Sequence, residues 1–204
     1  MRTTLLRFAA SVAAAIALFS VADIGVASNA HAAPEVATED AFVMKVFPHD
    51  SNAIHFWDSW GARRSGGRRH QGTDIMSPRG TPVLAVADGT IEELGKHRLS
   101  GFFVRLDHGE GWTTTYMHLN NDTLGTDDGA GGSWTAFFPT LVEGQTVEAG
   151  DVIGYVGDSG NAEGTQPHTH FEVKLDGRKL NPYPFLKDVW DRQARSLGGD
   201  LDPR

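Results

Sequence analysis

Between residues 46 and 184 hardly any apolar pattern keeps a helical period. Short apolar runs are cut by glycine, proline and Asp-Gly steps, the punctuation of strands and tight turns. "TPVLAVADGTIEEL" reads as strand, Asp88-Gly89 turn, strand. "GFFVRLDHGEGWTTTYMHL" reads as two strands about a glycine loop at 109–111, and "QTVEAGDVIGYVG" as a pair about Ala149-Gly150. "HFEVKLDGRKL" is a strand, an Asp176-Gly177 turn and a short return. "FLKDVWDRQARSL" offers a short C-terminal helix or a tail. "GTPVLAVADGTI" and "GQTVEAGDVIGYV" share a glycine, a β run, a small-residue turn and a second β run, which hints at a duplicated unit. The expected class is all-β.

A chain of 204 residues has room for one ordinary domain. Its first segment has the layout of a secretory signal: Arg2 and Arg7, an apolar run over 8–22, then Ala30-His31-Ala32 as an A-x-A cleavage site. The run is shorter than the ~20 apolar residues of a spanning helix, and Asp23 interrupts it. The expected division is signal peptide 1–32, linker 33–44, main domain 45–187 and tail 188–204. The expected location is the cell envelope or outside the cell, with no membrane span after cleavage. Cysteine is absent, which excludes a lipidated anchor, disulfides, thiolate metal sites and a cysteine nucleophile. The net charge of −8 argues against nucleic acid as a partner. One exception is "RRSGGRRH" at 63–70, read either as a solvated basic loop or as a local attraction for carboxylate-bearing substrate. Residues 120–140 form a long insertion rich in glycine and aspartate that carries Trp134, Phe137 and Phe138. It is read as a surface loop or as a flap that shapes substrate access.

Histidine placement narrows the chemistry. His31 lies in the signal. His49, His55, His97 and His108 sit in turn-like polar text without partner patterns and are read as structural or solvated. In "PHTHFEVKL", a strand over 168–175 puts His168, His170, Glu172 and Lys174 on one face. Thr169, Phe171, Val173 and Leu175 then share the other, core-facing side. In "RRHQGTD", His70 and Asp74 are four apart, so an extended segment would place both on one face. His118 closes the strand "TTTYMHL". A catalytic zinc takes three protein ligands and keeps a fourth position open for water, whose pKa it lowers from 15.7 to about 7. His70, Asp74 and one histidine of the His-x-His pair would supply that set. Spacing leaves open which of His168 and His170 is the ligand. The remaining imidazoles are then available for proton transfer or oxyanion stabilisation.

"HQGTD", "YMHL" and "PHTHFEV", in this order, resemble the lysostaphin-type zinc endopeptidases that cut bacterial cell-wall peptides. The Gly-Thr-Pro-Val and Asp-Gly-Thr-Ile steps, "GDVIGYVGDSGN" and "LNPYPFL" fit the same family, over roughly 55–187. The resemblance implies two packed antiparallel β layers, a barrel-sandwich hybrid, with the site in a groove across one sheet. It implies one zinc per chain on His70, Asp74 and His170, with His118 and His168 as catalytic histidines and peptidoglycan peptides as substrate. Several relatives have a tyrosine shortly before the first ligand. Here that stretch is "WGARRSGGRR", and Arg64 is a candidate replacement donor. The insertion after His118 is longer than usual in the family.

Three rival readings carry different consequences. A non-catalytic wall-binding or hydrolase-regulating module on the same fold is disfavoured by the complete set of expected side chains. A cupin-like oxygenase needs a glutamate three or four residues past the His pair and a later histidine; Glu172 is two past His170 and no histidine follows. A carbohydrate-binding domain using Trp57, Trp60, Trp112 and Trp134 leaves the histidines unexplained. Within the peptidase reading, a D-Ala to diamino-acid cross-link and a glycine bridge both remain open as the bond cut.

Overall fold

The computed structural model describes residues 42–50 and 54–196. The expected signal, residues 33–41 of the expected linker and residues 197–204 lie outside the described residues. Among the described residues the order is β1 (His55–Phe56), β2 (Thr73–Met76), β3 (Pro82–Leu84), β4 (Gly89–His97), β5 (Gly101–Asp107) and β6 (Trp112–Leu119). Then come α1 (Ser133–Ala136), β7 (Thr146–Val147), β8 (Val152–Tyr155), β9 (His168–Leu175), β10 (Arg178–Leu180) and α2 (Tyr183–Ser196).

The main sheet runs β1-β2-β9-β6-β5-β4-β7, with β10 alongside β9 beyond the end of β2. Every pairing is antiparallel. A smaller antiparallel sheet pairs β3 with β8. One core joins the two: Ile75, Ile91, Val104, Leu106, Tyr116, Phe171 and Val173 come from the main sheet, Val83 and Ile153 from the small one. The expected all-β fold of two antiparallel layers is therefore the fold observed. The alternation in β9 is its clearest cause. Thr169, Phe171 and Val173 are fully buried, and burying three side chains on one face leaves the alternate ones on the other.

The C-terminal segment is a helix, not a tail. Asn181 accepts from the Tyr183 N–H at 3.0 Å where α2 begins, and Pro184 suits a first helical turn. Leu186, Val189 and Ala194 are buried, so the helix carries core residues on both sides of position 187. Met44 is likewise buried in the core, and Phe42 stacks on Trp112 at 5.2 Å.

The insertion at 120–140 departs from the flap reading. Ala136 is buried in the core, Phe137 meets Phe102 edge-on at 5.7 Å, and its backbone bridges to Gly154 in β8. Arg79 anchors the insertion's other end. Its guanidinium donates to Asp158 at 2.7 and 3.1 Å, pairs with Asp127 at 2.8 Å and contacts Asp122. Asp122 and Asp158 are fully buried. Asp122, Asp127 and Glu163 gather their carboxylates within 4.8 Å, and the cation among them is this arginine.

Two predictions concern stability. Arg79→Met strands two buried carboxylates, and removing one partner of a buried pair costs about 3–5 kcal/mol; denaturant unfolding should show a loss of that size. His49 is buried against Thr169 Oγ1 at 2.9 Å. Burial, then the nearby His168, pushes its pKa down from 6.5 to about 3. Above pH 6.5 both folded and unfolded forms are neutral, so nothing is lost. As pH falls from 6.5 towards 3 only the unfolded chain takes up the proton, and folding weakens by at most about 1.4 kcal/mol per pH unit. His49→Gln should flatten that part of the stability profile measured by thermal unfolding.

Candidate metal centre

The pairing of β2 with β9 sets Asp74 directly opposite His170. Both belong to the face turned away from the core. His70 lies ahead of β2, in an irregular stretch. The expected extended segment from 70 to 74 is therefore half right: Asp74 is on a strand and His70 on the loop that leads into it. Gly72 makes the approach possible. A Cβ there would stand 2.4 Å from His170 Nε2 and 2.7 Å from the Phe171 carbonyl oxygen.

Three candidate ligand atoms converge. His70 Nε2 lies 3.0 Å from Asp74 Oδ1 and 2.9 Å from His170 Nδ1, and His170 Nδ1 lies 2.9 Å from Asp74 Oδ1. The opposite nitrogens are engaged elsewhere. His70 Nδ1 faces the Ser59 carbonyl oxygen at 3.1 Å and Ser59 Oγ at 2.9 Å. His170 Nε2 faces Glu172 Oε1 at 3.5 Å. A carbonyl and a carboxylate can only accept, so each ring N–H points outward and each neutral ring turns a lone pair inward. Three inward lone pairs at this separation repel unless a positive charge lies among them. Tetrahedral zinc with bonds of about 2.0–2.1 Å separates its ligands by about 3.3–3.4 Å, so an opening of a few tenths of an ångström fits the ion.

The electrostatics agree. Burial pushes the Asp74 carboxyl up, but the adjoining His170 and His70 rings, which donate to it when protonated, outweigh burial and hold the group well below the usual carboxylate range. Burial pushes His170 down, and its contacts with Asp74 and Glu172 raise it overall. Glu172 is raised by burial but brought down to about 2 by His170 and Lys179. A metal ion would compete with a proton on His170 for one anionic pocket.

His118 and His168 flank this cluster. His168 is on the same face of β9 as His170. Strict alternation would send His118 to the core side with Tyr116, two residues earlier. The register between β5 and β6 shifts there, and His118 adopts φ +62°. Such a bulge re-aims one side chain: Met117 and His118 both line the groove, while Leu119 returns to the core. The His118 and His168 rings meet at 5.1 Å, and His118 is 6.0 Å from His170. His118 Nδ1–H donates to the Ser159 carbonyl at 2.8 Å, and His168 Nδ1–H to the Gln166 carbonyl at 2.7 Å. Each therefore keeps a lone pair on Nε2. Burial, then the neighbouring His168 and His170, lowers the His118 pKa to about 3, so this ring is neutral at neutral pH.

These groups open into a groove of about 1300 Å³. One flank is the 57–71 segment, the other the tip of the β4–β5 hairpin. No residue of 120–140 lines the groove, which removes the remaining ground for a flap. Of the candidate tryptophans only Trp57 reaches it, while Trp112 packs between Phe42 and Phe185. Arg64 contacts Asp74 Oδ2, leaving Oδ1 to the cluster. The orienting partners Ser59, Ser159 and Gln166 gave no signal in the sequence. Glu172 did, through its shared face with His170; His97, whose polar turn-like surroundings read as structural or solvated, lies on the groove wall against Phe103.

Gly72→Ala should displace His170. Its metal content after purification, measured by elemental analysis, should fall well below that of the parent protein, while far-ultraviolet circular dichroism stays unchanged.

Comparison with known proteins places this geometry. The sequence pattern of peptidase family M23 matches residues 68–130 and 135–182. The peptidoglycan DD-endopeptidase ShyC of Vibrio cholerae is 31% identical over 132 residues, covering 65% of this chain and 25% of ShyC. The L-Ala–D-Glu endopeptidase of Bacillus subtilis is 34% identical over 145 residues, 66% of this chain and 40% of that protein. The chain thus matches well under half the length of these relatives. The catalytic domain of lysostaphin from Staphylococcus simulans superposes with a TM-score of 0.53 at 28% identity, covering 66% of this chain and 92% of that domain. The match over more than half of its length, on the segments that carry all five clustered side chains, shows that the chain belongs to peptidase family M23.

Proposed function

We propose that the protein is an exported zinc endopeptidase that hydrolyses peptide bonds of peptidoglycan. The observation that carries this reading is the convergence of one ligand-type atom each from His70, Asp74 and His170, beside the imidazoles of His118 and His168 in an open groove. Among the described residues no helix is long and apolar enough to cross a membrane. The signal-like N-terminus supports export, and the endopeptidase relatives support a cell-wall substrate.

His70, Asp74 and His170 would hold one zinc ion. When bound, the ion supplies Lewis acidity, which makes water a nucleophile at neutral pH and polarises a peptide carbonyl. The chain's own groups do the rest. Arg64 holds the second oxygen of Asp74 and adds positive charge beside the ligands, at the place where relatives use a tyrosine. His168 and His118 keep Nε2 free to accept the proton of the attacking water and to return it to the leaving amine. Once protonated, the same nitrogen donates to a developing oxyanion.

The variants separate these roles. His170→Ala should lose zinc and turnover together. His118→Ala and His168→Ala should keep stoichiometric zinc and lose ~10²-fold or more in kcat. Mass spectrometry of fragments from a defined cross-linked wall substrate reads the turnover. Stoichiometric zinc in the His170 variant, or near-normal kcat in either other variant, would sink the corresponding assignment.

A further inference from the structure

The chain is acidic, at −8 overall, yet its groove is basic. Arg63, Arg68 and Arg69 line one flank and Arg98 lines the other. The only carboxylates among the lining residues are Asp74 and Glu172. Both are committed, Asp74 to the histidines and Arg64, Glu172 to His170 and Lys179. Among the described residues none of Arg63, Arg68, Arg69 and Arg98 has a carboxylate partner.

The placement of these arginines is built into the fold. The backbone bridges Arg63 to Arg69, and the Arg64 N–H donates to the Arg68 carbonyl at 3.0 Å. The 63–69 stretch is thus a closed hairpin-like loop, turned at its tip by Gly66 with φ +69°. Arg68 donates to the Ser65 carbonyl and hydroxyl, both at 3.2 Å, and Arg69 to the Gly61 carbonyl at 3.1 Å. These neutral acceptors orient the guanidinium groups without neutralising them. A guanidinium has five N–H donors, so each still has donors to offer. Arg98 stands on the β4–β5 tip. The strand order β2-β9-β6-β5 puts that tip and the 63–69 loop on opposite flanks of the catalytic strands. The tip is tied to the site, because the His118 N–H donates to the Ser100 carbonyl at 2.8 Å.

A groove lined by one sign of charge concentrates ligands of the other sign. Arginine also binds carboxylate with matched, two-point geometry. A glycine bridge has no side-chain charge and gains nothing from such walls. A stem peptide with free carboxylates gains on both sides of the bond to be cut. We infer that the groove selects an anionic stem peptide, such as a D-Ala to diamino-acid cross-link with its carboxylates free, over an uncharged glycine bridge. This rests on the peptidase reading above and adds to it the class of substrate.

The test uses the zinc-loaded protein and three synthetic peptides. One is the cross-link with free carboxylates, the second the same cross-link with those carboxylates amidated, the third pentaglycine. The free-carboxylate peptide should be cut with kcat/KM at least about tenfold above its amidated twin, and the gap should shrink as salt is raised. The double variant Arg68→Gln, Arg98→Gln should narrow the gap through a higher KM for the anionic peptide, with zinc content unchanged. Equal cleavage of the twins, a preference for pentaglycine, or a gap that survives the double variant would overturn the assignment and leave the peptidase reading standing. If no peptide is cut, the peptidase reading fails, and calorimetric binding of the same peptides decides the groove. Carboxylate-dependent affinity that the double variant loses keeps the assignment; affinity blind to the carboxylates, or no binding, overturns it.

Discussion

Strand β9 is paired along both of its edges, and the site depends on that pairing. β2 and β10 share one edge and β6 takes the other. A slip of one residue would turn Phe171 and Val173 outward and His168, His170 and Glu172 inward. Phe171 is locked against Tyr116 at 5.1 Å, and the Tyr116 hydroxyl accepts from the Val86 N–H at 3.0 Å. The core residues of β9 therefore serve as the register mark for its polar ones. Placing Asp74 opposite His170 needs no further device than the correct pairing of two strands.

What could be read in the sequence divides along the same line. Alternation is a local signal, and it showed the core and site faces of β9, the Asp-Gly turns and the run of antiparallel strands. The candidate ligand set was legible as chemistry, but choosing between His168 and His170 needed the family resemblance. Features that depend on a second segment were not legible. The bulge at His118 exists only as a mismatch between β5 and β6. His70 reaches the cluster because Gly72 lets the backbone pass His170. The 120–140 insertion reads as a surface loop by its composition, and as a flap by the aromatics it carries. Its aromatic Phe137 and acidic Asp122 have partners, Phe102 and Arg79, that are distant in sequence.

The same insertion shows how a small β domain carries a long, polar excursion. Three loops, around Arg79, Asp122 and Asp158, converge on one guanidinium. An apolar cluster could hold them, but it would need side chains that the surface side of each loop cannot bury. The arginine satisfies several carboxylates from three directions, and Gly129 and Gly164 backbone N–H groups complete the shell of Asp122 and Asp158 at 2.8 and 3.1 Å.

Three imidazoles of the centre are keyed by main-chain oxygens: those of Ser59, Gln166 and Ser159. A peptide oxygen does not titrate, and no side-chain substitution deletes it. The orientation of the His70, His168 and His118 rings is in this sense written into the path of the chain, with Ser59 Oγ as a second partner of His70. His170 is the exception, because its outer nitrogen answers to Glu172, and Glu172 in turn to Lys179. Any gradual tuning of the centre between related proteins then has a natural handle, the charge that stands behind a single candidate ligand.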